Sequence, residues 1–186
     1  MKILKAILFL MLPLVFVGCA PDGTSNYNNG VELQGEGKLD EAEVEYKSAL
    51  KINPDFAEAY LNLGIIYLNK EWVEGGVNCF FKAISILERT KKPSVESQSF
   101  NETLSKAYNN LGVAQMAIVE KTEDEAEQKL LLVLWDEALR NFGKAVQVDP
   151  QSAEAQVNLK KFKEARYTYV EKKRSENLKN FLNMLQ

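Results

Sequence analysis

The sequence predicts an all-α chain of stacked, repeated helical units, and three observations carry that prediction. Gly30, Ala42, Tyr46 and Ala49 recur as Gly64, Gly76, Phe80 and Ala83, each 34 residues on. A third copy follows in Tyr108-Asn109-Asn110-Leu111-Gly112, with Ala138, Phe142, Ala145 and Pro150, and Pro150 stands 8 residues past Phe142 just as Pro54 stands 8 past Tyr46. Near the carboxyl end Leu159, Phe162, Ala165 and Tyr169 fall three or four apart, the spacing of one helix face. A fixed period of about 20 to 50 residues marks units that cannot bury an apolar face alone and bury it on their neighbours.

Composition bounds the chemistry. The 186 residues are 46% apolar and 26% charged, as in an ordinary globular domain. A formal charge of −3 offers no basic stripe for nucleic acid. With no histidine in the chain, Ser-His-Asp and Cys-His catalysis, His-ligated zinc or haem and a histidine pH switch are excluded. Cys19 and Cys79 are the only cysteines, too few for a four-cysteine metal site. No glycine-rich phosphate loop, H-E-x-x-H or G-x-S-x-G occurs, so the chain is expected to be no enzyme and to carry neither cofactor nor metal.

The first element is a leader. Lys2 and Lys5 precede an uninterrupted apolar run of 12 residues, Ala6 to Val17. A bilayer span needs roughly 20 apolar residues and a secretory signal about 7 to 15, so residues 1–18 read as an export signal. Its end, Phe16-Val17-Gly18-Cys19, resembles the lipobox of bacterial lipoproteins, with Phe16 where leucine is more common. The resemblance implies that Cys19 is lipidated and becomes the mature N-terminus, with palmitate among its acyl chains. The alternatives are a plain signal cut elsewhere or a buried helix. Ala20 after the cysteine favours the outer membrane, periplasmic face, over the inner membrane by the enteric sorting pattern that it resembles. Residues 19–25 are then the lipidated start and a short linker, and Cys79 is left as a small buried hydrophobe.

Residues 26–150 hold the repeats, at about 23–56, 57–90 and 94–150. The second copy reads Tyr60, Leu63, Gly64, Tyr67, Gly76, Phe80, Ala83, and this resembles the tetratricopeptide repeat, W-x2-L-G-x2-Y, then A-x3-F, then P. Glu88 stands where its proline belongs. In the first copy Asn26, Asn29 and Leu33 replace the aromatic, the leucine and the tyrosine, as in an end repeat. The resemblance implies a solenoid of about three antiparallel helix hairpins. Small residues at Gly64, Gly76 and Ala83 admit close helix approach, and Tyr67 and Phe80 fill the gaps.

The third copy is stretched twice. Gly64 to Gly112 is 48 residues, 14 over the period, and Gly112 to Ala138 is 26 where earlier copies have 12, again 14 over. Fourteen residues shared by two antiparallel helices is about two turns each, so both insertions are expected to lengthen helices without turning their apolar faces away; the alternative is a disordered acidic loop at Glu123 to Glu127. Lys92-Pro93-Ser94 is the expected turn into the long first helix, and Thr122-Glu123-Asp124-Glu125 has the form of a capping box for the second. Leu130 to Trp135 fits a helix buried on much of its circumference.

Residues 151–186 are expected to be a polar capping helix and an amphipathic tail. Leu159, Phe162, Ala165 and Tyr169 can sit on the third repeat, Glu171 to Asn177 is polar throughout, and Leu178, Phe181, Leu182 and Leu185 form a second apolar stretch. That stretch packs on the array, packs on a partner subunit to make a homo-oligomer, or frays.

In arrays of the resembled type the first helices of successive repeats line a concave groove for a peptide or helix. Matched residue by residue, the groove here would hold Tyr27, Asn28 and Val31; Leu61, Asn62, Ile65 and Leu68; Lys106, Asn109, Asn110, Val113 and Met116; and Asn158. Asn28, Asn62, Asn110 and Asn158 are equivalent, and such a ladder resembles one that holds peptide backbone, since a carboxamide both donates and accepts. Of the Lys, Arg and Asn set that clamps a C-terminal carboxylate in chaperone adaptors, only Asn62, Lys106 and Asn110 fall in place, and Asn110 replaces an arginine. The groove is therefore expected to take a hydrophobic or amphipathic segment. The combined reading is a membrane-anchored scaffold that binds a protein or peptide near the membrane and assists assembly or positioning of a cell-envelope complex. The alternative is a structural lipoprotein that self-associates through its C-terminal helix with the groove empty.

Overall fold

The computed structural model describes residues 22–95, 99–121 and 128–184. The export signal, Cys19, the Thr122–Glu125 motif and Leu185 lie outside the described residues. Within them the chain is helical, with no strand: α1 (Thr24–Gly35), α2 (Leu39–Ile52), α3 (Ala57–Asn69), α4 (Val73–Thr90), α5 (Phe100–Lys121), α6 (Gln128–Val148) and α7 (Ala153–Met184). Each helix packs on the next, and the tightest pairs are α1 with α2, α3 with α4 and α5 with α6.

One packing device is used in all three hairpins. A β-carbon at Gly30 would lie 2.7 Å from the Tyr46 ring, at Gly64 2.6 Å from Phe80 and at Gly112 2.8 Å from Phe142. The first helix of each pair thus has no side chain where the aromatic of the second sits, and all three rings are completely buried. Lys160 stands 48 residues after Gly112, as Gly112 stands after Gly64, so the glycine that seats each ring is not repeated on α7. The array stops there.

The turns repeat as faithfully. Asn53 ends α2 before Pro54, and its side chain accepts the Asp55 N–H at 3.1 Å. Asp149 does the same before Pro150, accepting the Gln151 N–H at 3.0 Å. Gly37 and Glu71, one period apart, both turn the chain at positive φ, 79° and 59°. Because Glu88 replaces the proline, α4 runs on to Thr90 and ends at Lys91 in the left-handed region, φ 57°, two residues before Pro93.

The insertions divide unequally between helix and linker. In the first, α4 runs four residues past the counterpart of Ile52, α5 begins five residues further ahead of its glycine than α3 does, and the other five go to the linker 91–99. The first insertion is thus only partly helix. In the second, α5 is extended by four residues and α6 by seven, and the remainder falls in 122–127. Along α6 Leu131 and Trp135 are buried, Leu132 and Leu134 are half-buried and Val133 is exposed, so this run is buried on one side and not around its circumference.

The core forms three clusters at the junctions between pairs. Tyr27, Ala42, Tyr46, Phe56, Leu63, Tyr67 and Cys79 join α1 and α2 to the second hairpin. Phe80, Leu87, Leu104 and Leu111 join α3 and α4 to α5, and Met116, Trp135, Phe142 and Phe162 join α5 and α6 to α7. Burial pushes the Cys79 thiol up to about 11, which leaves it an unreactive hydrophobe near neutral pH. Its counterpart one period earlier is Glu45, which accepts a hydrogen bond from Asn26 at 2.7 Å. Asn26 and Glu45 thus pair where the second hairpin has Tyr60 and Cys79, and Asn29 is exposed.

The long α7 joins cap and tail in one helix. Phe162 stacks on Phe142 at 5.1 Å and its carbonyl accepts the Trp135 indole N–H at 3.3 Å, while Arg166 forks onto Asp136 at 2.7 and 3.2 Å. Leu159 and Tyr169 are half-buried on the third hairpin, but Ala165 is exposed. Leu178, Phe181 and Leu182 are 59%, 57% and 51% exposed, so the described part of the tail does not pack on the array.

Candidate functional site

The first helices form the inner row. α3 touches α5 and α5 touches α7, Asn62 of α3 reaches Tyr27 of α1, and α4 makes no comparable contact with α6. Residues on α1, α3, α5 and α7 that point away from the second helices therefore share one surface. The sequence-matched residues divide on it by depth.

At one end, Tyr27 is buried and stacks on Phe56 at 4.8 Å. The Asn62 carboxamide donates to the hydroxyls of Tyr46 at 3.2 Å and Tyr27 at 3.4 Å, and Tyr46 in turn donates to Gln34 at 2.7 Å. Burial holds the Tyr46 phenol well above its ordinary value, so it remains a neutral donor. Asn62 is thus spent on tying three helices together. At the other end Asn158 donates to buried Asn109 at 3.0 Å, and Asn109 donates to Glu154 at 2.9 Å. Asn28 is exposed and Asn110 half-buried. The four equivalent asparagines are one row in sequence but two environments in space.

Apolar positions divide likewise. Leu61 and Met116 are 5% and 3% exposed and belong to the core. Val31 is 44% exposed, and Ile65, Leu68 and Val113 are half-buried. Lys106 is exposed and paired with Glu102 one turn earlier, at 2.6 Å. Leu68 lies against Gly76 of α4, so the accessible strip is Asn28, Val31, Ile65, Lys106, Asn110, Val113 and Asn158, apolar along its middle with amide and ammonium donors beside it.

Two residues outside the sequence-matched set stand out, one on each side of the array. Glu58 on α3 is buried to 1% exposure, beneath Ser94 and Val95 of the 91–99 linker. It occupies the place that Lys106 takes on α5, 48 residues on, and that correspondence was the available signal. On the side of the second helices, a cleft of about 510 Å³ lies between α4 and α6 over Tyr108, lined by Phe81, Glu88 and Lys144 among others. Tyr108 donates its hydroxyl to Glu88 there, and Lys144 lies 4.8 Å over its ring. Among the described residues no group of three or more His, Cys, Asp or Glu could hold a metal ion, and no helix is long and apolar enough to cross a membrane.

Family models agree with the period. Residues 35–70 match a TPR repeat and residues 57–86 a tetratricopeptide repeat. The array has the fold of a tetratricopeptide-repeat solenoid, and residues 35–86 carry the repeat's sequence pattern. Solved structures with this fold include the first TPR of Spaghetti (RPAP3) bound to the HSP90 peptide SRMEEVD, at TM-score 0.61 and 17% identity over 80% of this chain and 95% of that one. The TPR domain of Arabidopsis OM64 superimposes at TM-score 0.60 and 19% identity, over 78% of this chain and 98% of that one. The second TPR domain of human RPAP3, in complex with the HSP70 peptide SGPTIEEVD, gives TM-score 0.57 and 19% identity over 76% and 95%. No curated protein matches the chain in sequence.

Proposed function

We propose that this solenoid is a membrane-anchored scaffold that binds an apolar or amphipathic segment of a cell-envelope protein along its row of first helices, with Cys19 as the lipid attachment. The observation that carries the reading is the accessible strip of Val31, Ile65 and Val113, flanked by Asn28, Lys106, Asn110 and Asn158. Two of the solved relatives hold peptides in their TPR domains, which supports a peptide ligand here. Tyr27, Val31 and Asn110 replace the residues of a carboxylate clamp, which favours an apolar ligand over an acidic chain end. Helix α1 begins five residues after Cys19, a reach of about 17 Å at most, so the groove works close to the membrane.

Crosslinking of the native protein in envelopes, followed by affinity capture and mass spectrometry, tests this. Val31→Asp with Ile65→Asp is expected to abolish capture while leaving helical content nearly unchanged, since it would desolvate two charges against an apolar ligand. Leu61 is unsuitable for this test, because its substitution would report on the core. Cys19→Ala is expected to lose palmitate labelling and membrane fractionation together. Undiminished capture by the double variant would remove the groove from the account, and unlabelled wild-type protein would remove the anchor.

A further inference from the structure

Glu58 and Lys106 occupy the same place on successive first helices, yet Lys106 is exposed and Glu58 is 1% exposed. The difference is made by the inserted linker. The N–H of Ser94 donates to both Glu58 carboxylate oxygens, at 2.9 and 3.2 Å, and the N–H of Val95 donates to one of them at 3.4 Å. Helix α3 has Phe56 at its N-cap, with no side-chain cap of its own, and the Ala57 N–H donates instead to the Ser94 hydroxyl at 3.1 Å. That hydroxyl donates in turn to the Asp55 carbonyl at 3.1 Å. Val95 packs on the cluster that holds Tyr27, Phe56 and Ala59.

These are the contacts of an extended peptide seated on a helix start. Two successive backbone N–H groups reach one carboxylate, a hydroxyl bridges an amide and a carbonyl, and an apolar side chain packs on the neighbouring core cluster. The segment that makes them is tethered: α2 and α3 are joined by four residues, whereas α4 and α5 are joined by nine, and Lys91 and Lys92 ahead of Ser94 are exposed. A buried carboxylate that loses its donors pays a desolvation penalty, so whatever replaces the linker must bring N–H groups of its own. An acidic side chain placed against Glu58 would be repelled.

We propose that Ser94 and Val95 are a built-in occupant of the groove, and that the subsite they fill accepts a partner's extended segment carrying Ser or Thr followed by a β-branched apolar residue. This rests on the groove reading above and names the chemistry of its ligand at the second repeat. The tethered occupant competes at the high effective concentration of a short linker, so a partner binds tightly only where it displaces Ser94 and Val95.

The test uses the full chain and a labelled, end-blocked hexapeptide of residues 90–95, Thr-Lys-Lys-Pro-Ser-Val. Ser94→Gly with Val95→Gly removes the bridging hydroxyl and the apolar side chain and leaves only the two backbone N–H groups on Glu58, which weakens the tethered occupant, and Ser94→Ala is the milder variant should the first lose its cooperative melt. In either variant the peptide is expected to bind at least about tenfold more tightly than in the wild type, with amide NMR shifts centred on Ala57 and Glu58. Replacing the peptide's serine by alanine is expected to remove most of that gain. A folded variant whose Ala57 amide has left its bonded position, yet which binds the hexapeptide no better than the wild type, would reduce Ser94 to a helix cap and overturn the proposal. Failure of the hexapeptide with capture still lost in Val31→Asp/Ile65→Asp would discard the subsite and keep the groove, whereas intact capture in that variant would discard the groove itself.

Discussion

Phe80→Ala is expected to lower stability by about 3 to 5 kcal/mol, the range for deleting a large, wholly buried ring whose site cannot collapse. Phe80 is completely buried, and a β-carbon at Gly64 would lie 2.6 Å from its ring. The same contact makes a second expectation with opposite signs in two backgrounds. In the native chain Gly64→Ala overpacks the hairpin and costs about 1 to 3 kcal/mol. In the Phe80→Ala background the clash is gone, and alanine's better helix propensity returns up to about 1 kcal/mol. Urea unfolding of the four proteins gives the coupling directly. Additive effects would mean that the close approach of α3 and α4 does not depend on the ring.

Phe162→Ala is expected to cost a similar amount, about 3 to 5 kcal/mol, because the ring stacked on Phe142 and packed beside Trp135 is what fastens α7 to the third hairpin. Removing residues 175–184 is expected to change stability by less than about 1 kcal/mol, since every one of them is exposed. Trp135 is 8% exposed and Trp72 53%, so the loss of α7 docking should appear as a red shift of tryptophan emission in Phe162→Ala and not in the truncated chain. A truncation as costly as the point substitution would show that the projecting end of α7 is held by something it does not touch here.

Repetition is what made the fold legible. Gly30, Gly64 and Gly112 could be aligned with Tyr46, Phe80 and Phe142 because the same steric problem is solved three times, and a requirement met three times leaves three marks at one spacing. With Glu88 in the proline's place, α4 runs on to Thr90. What occurs once leaves no such mark. The Ser94 contacts join residues about 37 positions apart across an inserted linker, and nothing in Pro93-Ser94-Val95 alone says which helix start it covers. The cap and the tail, read as two parts of 151–186, form one helix. Glu171 to Asn177 is polar throughout, but it holds no glycine or proline, and its lysines, arginine and glutamates are good helix formers, so α7 passes straight through. The groove was legible as a register and not as a depth. Leu61 and Ile65 lie one turn apart on α3, and only the packing of α4 and α5 decides that the first is core and the second accessible.

The central claim, that partners bind along the first helices, is tested most directly by site-specific photo-crosslinking in intact envelopes. One photoreactive residue replaces Asn110, half-buried on the inner row, and another replaces Phe81, 52% exposed in the cleft between α4 and α6. Neither side chain belongs to the buried core, so both proteins should fold alike. The account predicts a discrete crosslinked partner from position 110 that is lost on adding Val31→Asp and Ile65→Asp, and none from position 81. The same partner captured from position 81 and not from 110 would place the binding surface on the second helices and contradict it.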